Sequence, residues 1–349
     1  MITPVTRLAY VVAQTGRIGW YFGQYLLAAR LTGPPRPHPR VTRPVPDRAG
    51  FLAELRALME RDWANIRVGH YRVPHDLFLP PGRLLRQARL FFDEVPRVHD
   101  RRRRRGAREV AQRPPPGAAG LPRYYVQNFH FQTDGYLSEH SARLYDHQVE
   151  VLFGGGADAM RRQALVPVHH WLRNRRRTAR RRAVALDLAC GTGQFLTFLR
   201  DNHPSIAAIG VDLSLPYLAE ARRRLAAWPG TMLTEADATA LPLADASVDI
   251  VTCIFLFHEL PRDVRIQVSR EIARVLRPGG MLVFLDSLQE GDRPQMDGLL
   301  QYFPQAFHEP YFTDYVRHDL NAMFEEAGLV QGASDLVFLA KMLVFEKPE

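Results

Sequence analysis

Val184-Ala-Leu-Asp187-Leu-Ala-Cys-Gly191-Thr-Gly193-Gln-Phe195 decides how this chain folds. An apolar run with strand character ends in an acid, passes through a turn carrying two glycines, and continues into a helix-like segment, Gln194 to Arg200. Glycines at such a turn let backbone N–H groups approach a ligand at a helix N-terminus. Further on, a second apolar run, Ile206 to Val211, ends in Asp212. An acid at the tip of the second strand is where nucleotide-binding α/β folds grip a ribose diol. The pattern implies an adenosine-like ligand.

A dinucleotide site needs a third glycine three residues after the second, so that helix and strand can close around a pyrophosphate. That position holds Leu196, which argues for a ligand without a pyrophosphate. Ordered segments follow: Glu235-Ala-Asp237-Ala238, Ser247-Val-Asp249-Ile-Val-Thr-Cys-Ile-Phe255, Phe257-His258-Glu259-Leu260-Pro261, and Glu271 through Leu276-Arg277-Pro278-Gly279-Gly280. With these motifs in this order, roughly the last half of the chain resembles the class I S-adenosylmethionine (SAM)-dependent methyltransferases. The core motifs are most similar to those of the quinone- and sterol-type C-methyltransferases.

The resemblance implies SAM as cofactor and a role for each matching residue. Asp187 would orient the methionine amino group, and Gly191, Thr192 and Gly193 would give the methionine moiety room against the backbone. Asp212 would take both ribose hydroxyls, with Leu213 beside the adenine. Asp237 would accept from the adenine amine while the Ala238 N–H meets a ring nitrogen, and Phe255, between Ile254 and Leu256, would line the sulfonium side. His258, three residues past Phe255 with Glu259 beside it, is the candidate general base, needed only if the acceptor enters protonated. His308 is a second candidate.

Strands are predicted at about 183–188, 206–211, 231–235, 248–254 and 280–286, with helices at 194–201, 215–227 and 262–276 between them. This alternation means an α/β fold, a parallel sheet with helices on both faces. Two further runs, Leu329 to Phe338 and Lys341 to Phe345, would close it as the antiparallel hairpin of the family's Rossmann-like seven-stranded sheet. Residues 181–349 form this expected SAM-binding core. An aromatic insertion at about 289–315 falls where such enzymes build an acceptor lid, so Phe307, His308 and Tyr311 are expected to line an acceptor pocket together with Tyr136. The stretch Phe307-His308-Glu309-Pro310-Tyr311 departs from the quinone and sterol enzymes and leaves the acceptor atom open.

Ahead of the core stands a mostly helical extension. Residues 1–32 are apolar and aromatic, and Arg17 near the middle would cost about 2.5–3.5 kcal/mol at a bilayer centre. A helix packed on the protein or lying in an anionic membrane interface is expected rather than a span. Residues 33–123 read as a helical and Pro/Arg-rich linker region, with a helix from Asp47 to about Val68 and a mobile stretch through Arg101-Arg102-Arg103-Arg104-Arg105. Residues 124–180 read as a helical cap in which Asp158 starts a helix, and Arg173 to Arg182, with seven arginines, as a solvated connection.

The net charge of +9 invites a nucleic-acid partner. Only Lys341 and Lys347 are lysines, and heavy use of arginine, alanine and proline is also what a GC-rich genome produces. Two cysteines, Cys190 and Cys253, argue against a disulfide framework and for a reducing, cytoplasmic setting. No metal is expected, since the adjacent His169 and His170 cannot chelate one ion from a helix. The reading is therefore methyl transfer to a small apolar or aromatic acceptor, quinone-, lipid- or isoprenoid-like. The alternative is an RNA or protein methyltransferase using the arginine runs. No Asn-Pro-Pro-Tyr type segment follows the fourth strand, so nucleic acid is not the expected partner, and the oligomeric state is left open.

Overall fold

The structure, a computed structural model, describes residues 4–33, 39–115, 118–175 and 182–349. Parts of the expected linkers, residues 34–38, 116–117 and 176–181, lie outside the described residues. In chain order the helices are α1 Pro4–Thr32, α2 Arg48–Val68, α3 Pro81–Arg104, α4 Glu109–Gln112, α5 Glu139–Leu152, α6 Ala157–Gln163, α7 Leu165–Asn174, α8 Gln194–Asn202, α9 Leu215–Arg224, α10 Arg262–Val275, α11 Asp297–Ala306, α12 Phe312–Tyr315 and α13 Leu320–Glu326. The strands are β1 Val184–Leu188, β2 Ala207–Asp212, β3 Thr231–Glu235, β4 Val248–Ile254, β5 Leu276–Ser287, β6 Val330–Val337 and β7 Ala340–Glu346. The chain divides into two compact units. A helical unit holds Met1–Trp63, Val73–Ala159 and Arg293–Pro310, and a sheet unit holds Ala64–Arg72, Met160–Asp292 and Tyr311–Glu349.

The sheet unit carries one seven-stranded sheet in the order β3-β2-β1-β4-β5-β7-β6. Strands β1 to β5 run parallel, and β7 lies antiparallel between β5 and β6. The central strands are buried on both faces, as in Leu186, Leu188, Val251 and Phe284, which is why they read as continuous apolar runs. Order reverses between β1 and β4, and the crevice outside the carboxyl ends of strands at such a switch point is where α/β folds hold ligands. The amino end is clamped by Asp249, which accepts from the Val184 N–H at 2.8 Å and pairs with Arg277 at 3.0 Å.

Leu196 is fully buried in α8 and packs over β2. A Cβ added to Gly210 would stand 2.7 Å from Leu196 Cδ1, 2.8 Å from Leu233 Cδ2 and 2.9 Å from Cys190 Sγ. The close helix-to-strand approach that a dinucleotide fold makes at a third glycine is met here by glycine on the strand and leucine on the helix.

The helical unit packs α1, α3 and α5 around Tyr21, Phe91, Leu144 and Val151. Arg17 is enclosed there, 2.7 Å from Glu150, 2.5 Å from Asp158 and 3.9 Å from Asp76. Asp158 is thus the second residue of α6 and bonded to Arg17, not a cap. Asn128 accepts from the Val110 N–H and donates to the Gln132 and Thr133 carbonyls, which orders the aromatic stretch 124–136.

Two expectations are corrected. The stretch through the arginine run is not a mobile linker, because α3 continues through Pro96 and ends at Arg104. Arg101 bonds Glu109 at 2.7 Å and the Phe131 carbonyl at 3.2 Å, and partners so distant in sequence leave no local trace. The aromatic insertion is not mainly loop either. A 3-10 turn at Pro294–Met296, α11 and α12 make more than half of it helical, the Gly298 N–H of α11 donates to the Pro44 carbonyl at 2.8 Å, and residues 293–310 belong to the helical unit.

Candidate functional site

The glycine turn after β1 is built by two different demands. Gly191 has φ +54° and only Tyr217 Cδ1 at 3.9 Å from an added Cβ, so the backbone there lies open to a ligand. Gly193, the left-handed N-cap of α8, has φ +74° and would place a Cβ 3.1 Å from both Ala221 Cβ and Leu225 Cδ1. Its missing side chain serves the approach of α8 to α9. Thr192 between them is buried. Ala189, just before the turn, is also left-handed at φ +56°, a conformation that costs an L-residue on the order of 1–2 kcal/mol.

Asp187 is buried inside β1 and accepts from the Thr252 hydroxyl at 2.7 Å. Burial pushes its pKa up to about 7, against the lowering effect of the Thr252 bond, and the nearby Asp212 charge raises it further. The charge of Arg161, a buried residue of α6, acts in the opposite direction. A half-desolvated carboxylate of this kind gains most from a cation. Asp212, at the tip of β2, accepts from the Gly191 N–H at 2.7 Å and the Ser214 N–H at 2.8 Å. Burial raises its pKa to about 6 while these backbone bonds lower it. Asp212 therefore shapes the glycine turn in addition to facing the crevice, with Leu213 half-buried beside it.

Asp237 lies two residues past β3, where one carboxylate oxygen accepts from both the N–H and the hydroxyl of Thr239 at 2.8 Å. Ala238 is half-buried next to it. At the end of β4, Phe255 takes φ +57° while its N–H donates to the Leu285 carbonyl at 2.8 Å. Strained backbone at a strand's carboxyl end is characteristic of ligand-facing turns. Cys190 and Cys253 are buried, and burial pushes both thiols far up, so neither is a nucleophile.

His258 follows in a 3-10 turn and is buried against an acid that sequence reasoning missed. Its Nδ1 is 2.5 Å from Asp286 Oδ1, on the fully buried carboxylate near the end of β5. The other Asp286 oxygen accepts from the Phe257 N–H at 2.7 Å, and Oδ1 also accepts from the Ser287 N–H at 2.7 Å. An Asp286 carboxylate at Nδ1 holds that nitrogen protonated and leaves Nε2 as the acceptor. The rings of Phe312 and Tyr315 stand 6.0 and 6.2 Å from the imidazole. One signal was present: Asp286 is the acid that ends the apolar run Met281 to Leu285 of β5.

The residues expected to meet the acceptor fall into two groups. Tyr136, Phe307 and His308 belong to the helical unit. There Phe129 stacks on Tyr136 at 5.2 Å and lies 6.4 Å from His308, while His130 lies 6.2 Å from Phe307. Tyr311 belongs to the sheet unit at the N-cap of α12, and its carbonyl accepts from the Tyr315 N–H.

A family described as a methyltransferase domain matches residues 185–280. A demethylmenaquinone methyltransferase of Bacillus licheniformis is 31% identical over 169 residues, which cover 42% of this chain and 70% of that protein. The chain belongs to the class I SAM-dependent methyltransferases. Its Thermus thermophilus relative, also a demethylmenaquinone methyltransferase, is 40% identical over 102 residues, 29% of this chain and 46% of that protein. A malonyl-[acyl-carrier protein] O-methyltransferase of Xylella fastidiosa is 35% identical over 135 residues, 38% and 43% respectively. This methyltransferase thus spans under half the length of those two relatives. The family implies SAM, and the chain's donors suit it: a buried acid at Asp187 for an ammonium, an open glycine turn at Gly191, and an acid at the second strand tip for a diol.

Proposed function

We propose that this protein transfers the methyl group of SAM to a small apolar or aromatic acceptor bearing an ionisable oxygen or carbon. The observation that carries this is the His258–Asp286 pair, a histidine held by a buried carboxylate at the carboxyl ends of β4 and β5. Bound SAM supplies an electrophilic methyl on a sulfonium. Asp187 holds the ammonium, Arg161 is the candidate for the methionine carboxylate, Asp212 takes the ribose diol, and Asp237 the adenine amine. Asp286 keeps the His258 Nδ1 protonated, so that Nε2 accepts the proton of the acceptor as the methyl arrives. Phe255 excludes water from the reacting face, which raises the strength of each polar contact there.

Two relatives are named for demethylmenaquinone and one for a malonyl carrier protein, which supports a quinol ring or an acyl acid as acceptor. Tyr136, Phe307, His308 and Tyr311 remain candidates to contact it. Of the first arginine run, on which the RNA or protein alternative partly rests, Arg101 is engaged by Glu109 and the Phe131 carbonyl. The test is incubation of the purified full chain with isotope-labelled SAM and, separately, a short-chain naphthoquinol, a malonyl thioester, total RNA and a protein extract. Label in the quinol, lost in His258→Ala with SAM affinity intact, supports the proposal, whereas label only in the thioester, whose malonyl carboxylate carries no proton to remove, overturns His258 as the base. Label only in RNA or protein refutes it.

A further inference from the structure

The helical unit contains a cavity that none of the candidate cofactor residues lines. It measures about 180 Å³, somewhat more than the roughly 150 Å³ that suffices to take up benzene in an engineered protein core. Tyr25 and Ala28 of α1, Phe91 and Val95 of α3, Leu152 of α5 and Phe307 form much of its apolar wall.

One end of this wall is cationic. Of the arginines closing α3, Arg101 pairs with Glu94 and Glu109, and Arg103 and Arg104 both pair with Asp100. Arg102 pairs with no carboxylate among the described residues. It turns instead into the cavity, with its Cζ 5.1 Å from the Phe307 ring centroid. Its Nε is buried without a hydrogen-bond partner, as are Nδ1 of His99 and Oε1 of Gln148, which line the same cavity. A half-buried guanidinium without an anion gains from one, and two unmet ring and guanidinium nitrogens facing one apolar space, Arg102 Nε and His99 Nδ1, describe a place for an anionic head. Burial draws the Arg102 pKa below its ordinary value, the direction expected of a cation awaiting its counter-charge. His130, also lining the cavity, is held at φ +54°, and stored strain of that kind clusters at ligand sites.

We propose that this cavity binds an amphiphile with a carboxylate-type head and a medium-length apolar tail. The head lies at Arg102 in the part of the wall that His99 shares, and the tail lies among Phe91, Val95 and Leu152. On the same last turns of α1 that wall the cavity, Leu27 and Leu31 are exposed. Apart from Phe307, no residue lining the cavity is a candidate for methyl transfer.

The experiment is calorimetric titration of the full chain with decanoate, decanol and decyltrimethylammonium. Decanoate is expected to bind at least tenfold tighter than the other two. Arg102→Gln should abolish that preference while decanol still binds, and Ala28→Phe, which fills the cavity, should remove both. Ala28→Leu serves if the phenylalanine variant does not fold. SAM affinity, measured on the same variants, should stay within twofold, which separates this site from the cofactor crevice. Equal binding of the three probes, no binding, or a decanoate preference that survives Arg102→Gln overturns the proposal.

Discussion

Asp187 and Asp212 make cofactor binding a titration. Each is an acid whose pKa in the free protein is raised by burial, to about 7 and about 6, above an unfolded value near 3.9. Such groups hold extra protons in the folded state. Their contribution to stability is full below about pH 4 and is lost as pH rises through those folded values. The free protein's Tm should therefore fall between about pH 4 and 7 and level off above, and Asp187→Asn should flatten that fall. SAM, which needs both carboxylates charged, should bind more tightly as pH rises over the same window, with proton release visible as a buffer-dependent calorimetric enthalpy. A pH-independent affinity would count against Asp187 as the ammonium's partner. Asp212→Ala should weaken SAM by about 2–3 kcal/mol from the lost diol bonds. Because Asp212 also holds the Gly191 and Ser214 N–H groups, this variant should lose Tm as well, unlike one that touched the ligand alone. Asp286→Asn should leave SAM affinity unchanged, lower kcat and reshape the limb of the kcat–pH profile belonging to His258. If only Tm moves, the pair is structural.

At the scale of elements, legibility followed how local the determining contacts were. Strands β1, β2, β4 and β7 were readable because each carries a short apolar run, and Leu196 was readable as a departure from the dinucleotide pattern. That Leu196 seats on Gly210 was not, since it requires knowing which strand lies beneath α8. Gly210→Ala should accordingly cost about 1–3 kcal/mol by overpacking, measurable as a shift in denaturant midpoint without loss of slope. The end of α3 was misread for the same reason, Arg101 finding partners eight and thirty positions away. Asp286 was passed over because an isolated acid in an apolar strand carries no spacing signal until β5 lies beside β4. α1 was half legible: Arg17 marked it as no membrane span, and no helix among the described residues is long and apolar enough to cross a bilayer. Val5, Leu8, Val11, Val12, Leu26, Leu27 and Leu31 nevertheless remain exposed on it, supporting the proposal that it rests on an anionic lipid surface. Leu26→Gln with Leu27→Gln should reduce flotation with anionic vesicles and leave Tm unchanged. Equal flotation of both proteins would sink that role.

For the whole molecule, the ion cluster of Arg17, Glu150 and Asp158 ties together segments more than a hundred residues apart. Arg17→Leu would leave two buried carboxylates without their cation, and a loss of about 3–5 kcal/mol is expected. Deleting residues 1–32 should do the same, lowering Tm instead of acting as a clean truncation. A truncated protein as stable as the full chain would show that the cluster contributes little.

The same cluster imposes an order in time. Glu150 follows Arg17 by 133 positions, so at a synthesis rate of roughly 5–20 residues per second the arginine waits on the order of 7–27 seconds for that acid, with only the more distant Asp76 made before it. Throughout that interval a nascent cationic segment with a row of bare leucines stands outside the ribosome, and whatever anionic surface or chaperone is nearby has the first opportunity to hold it.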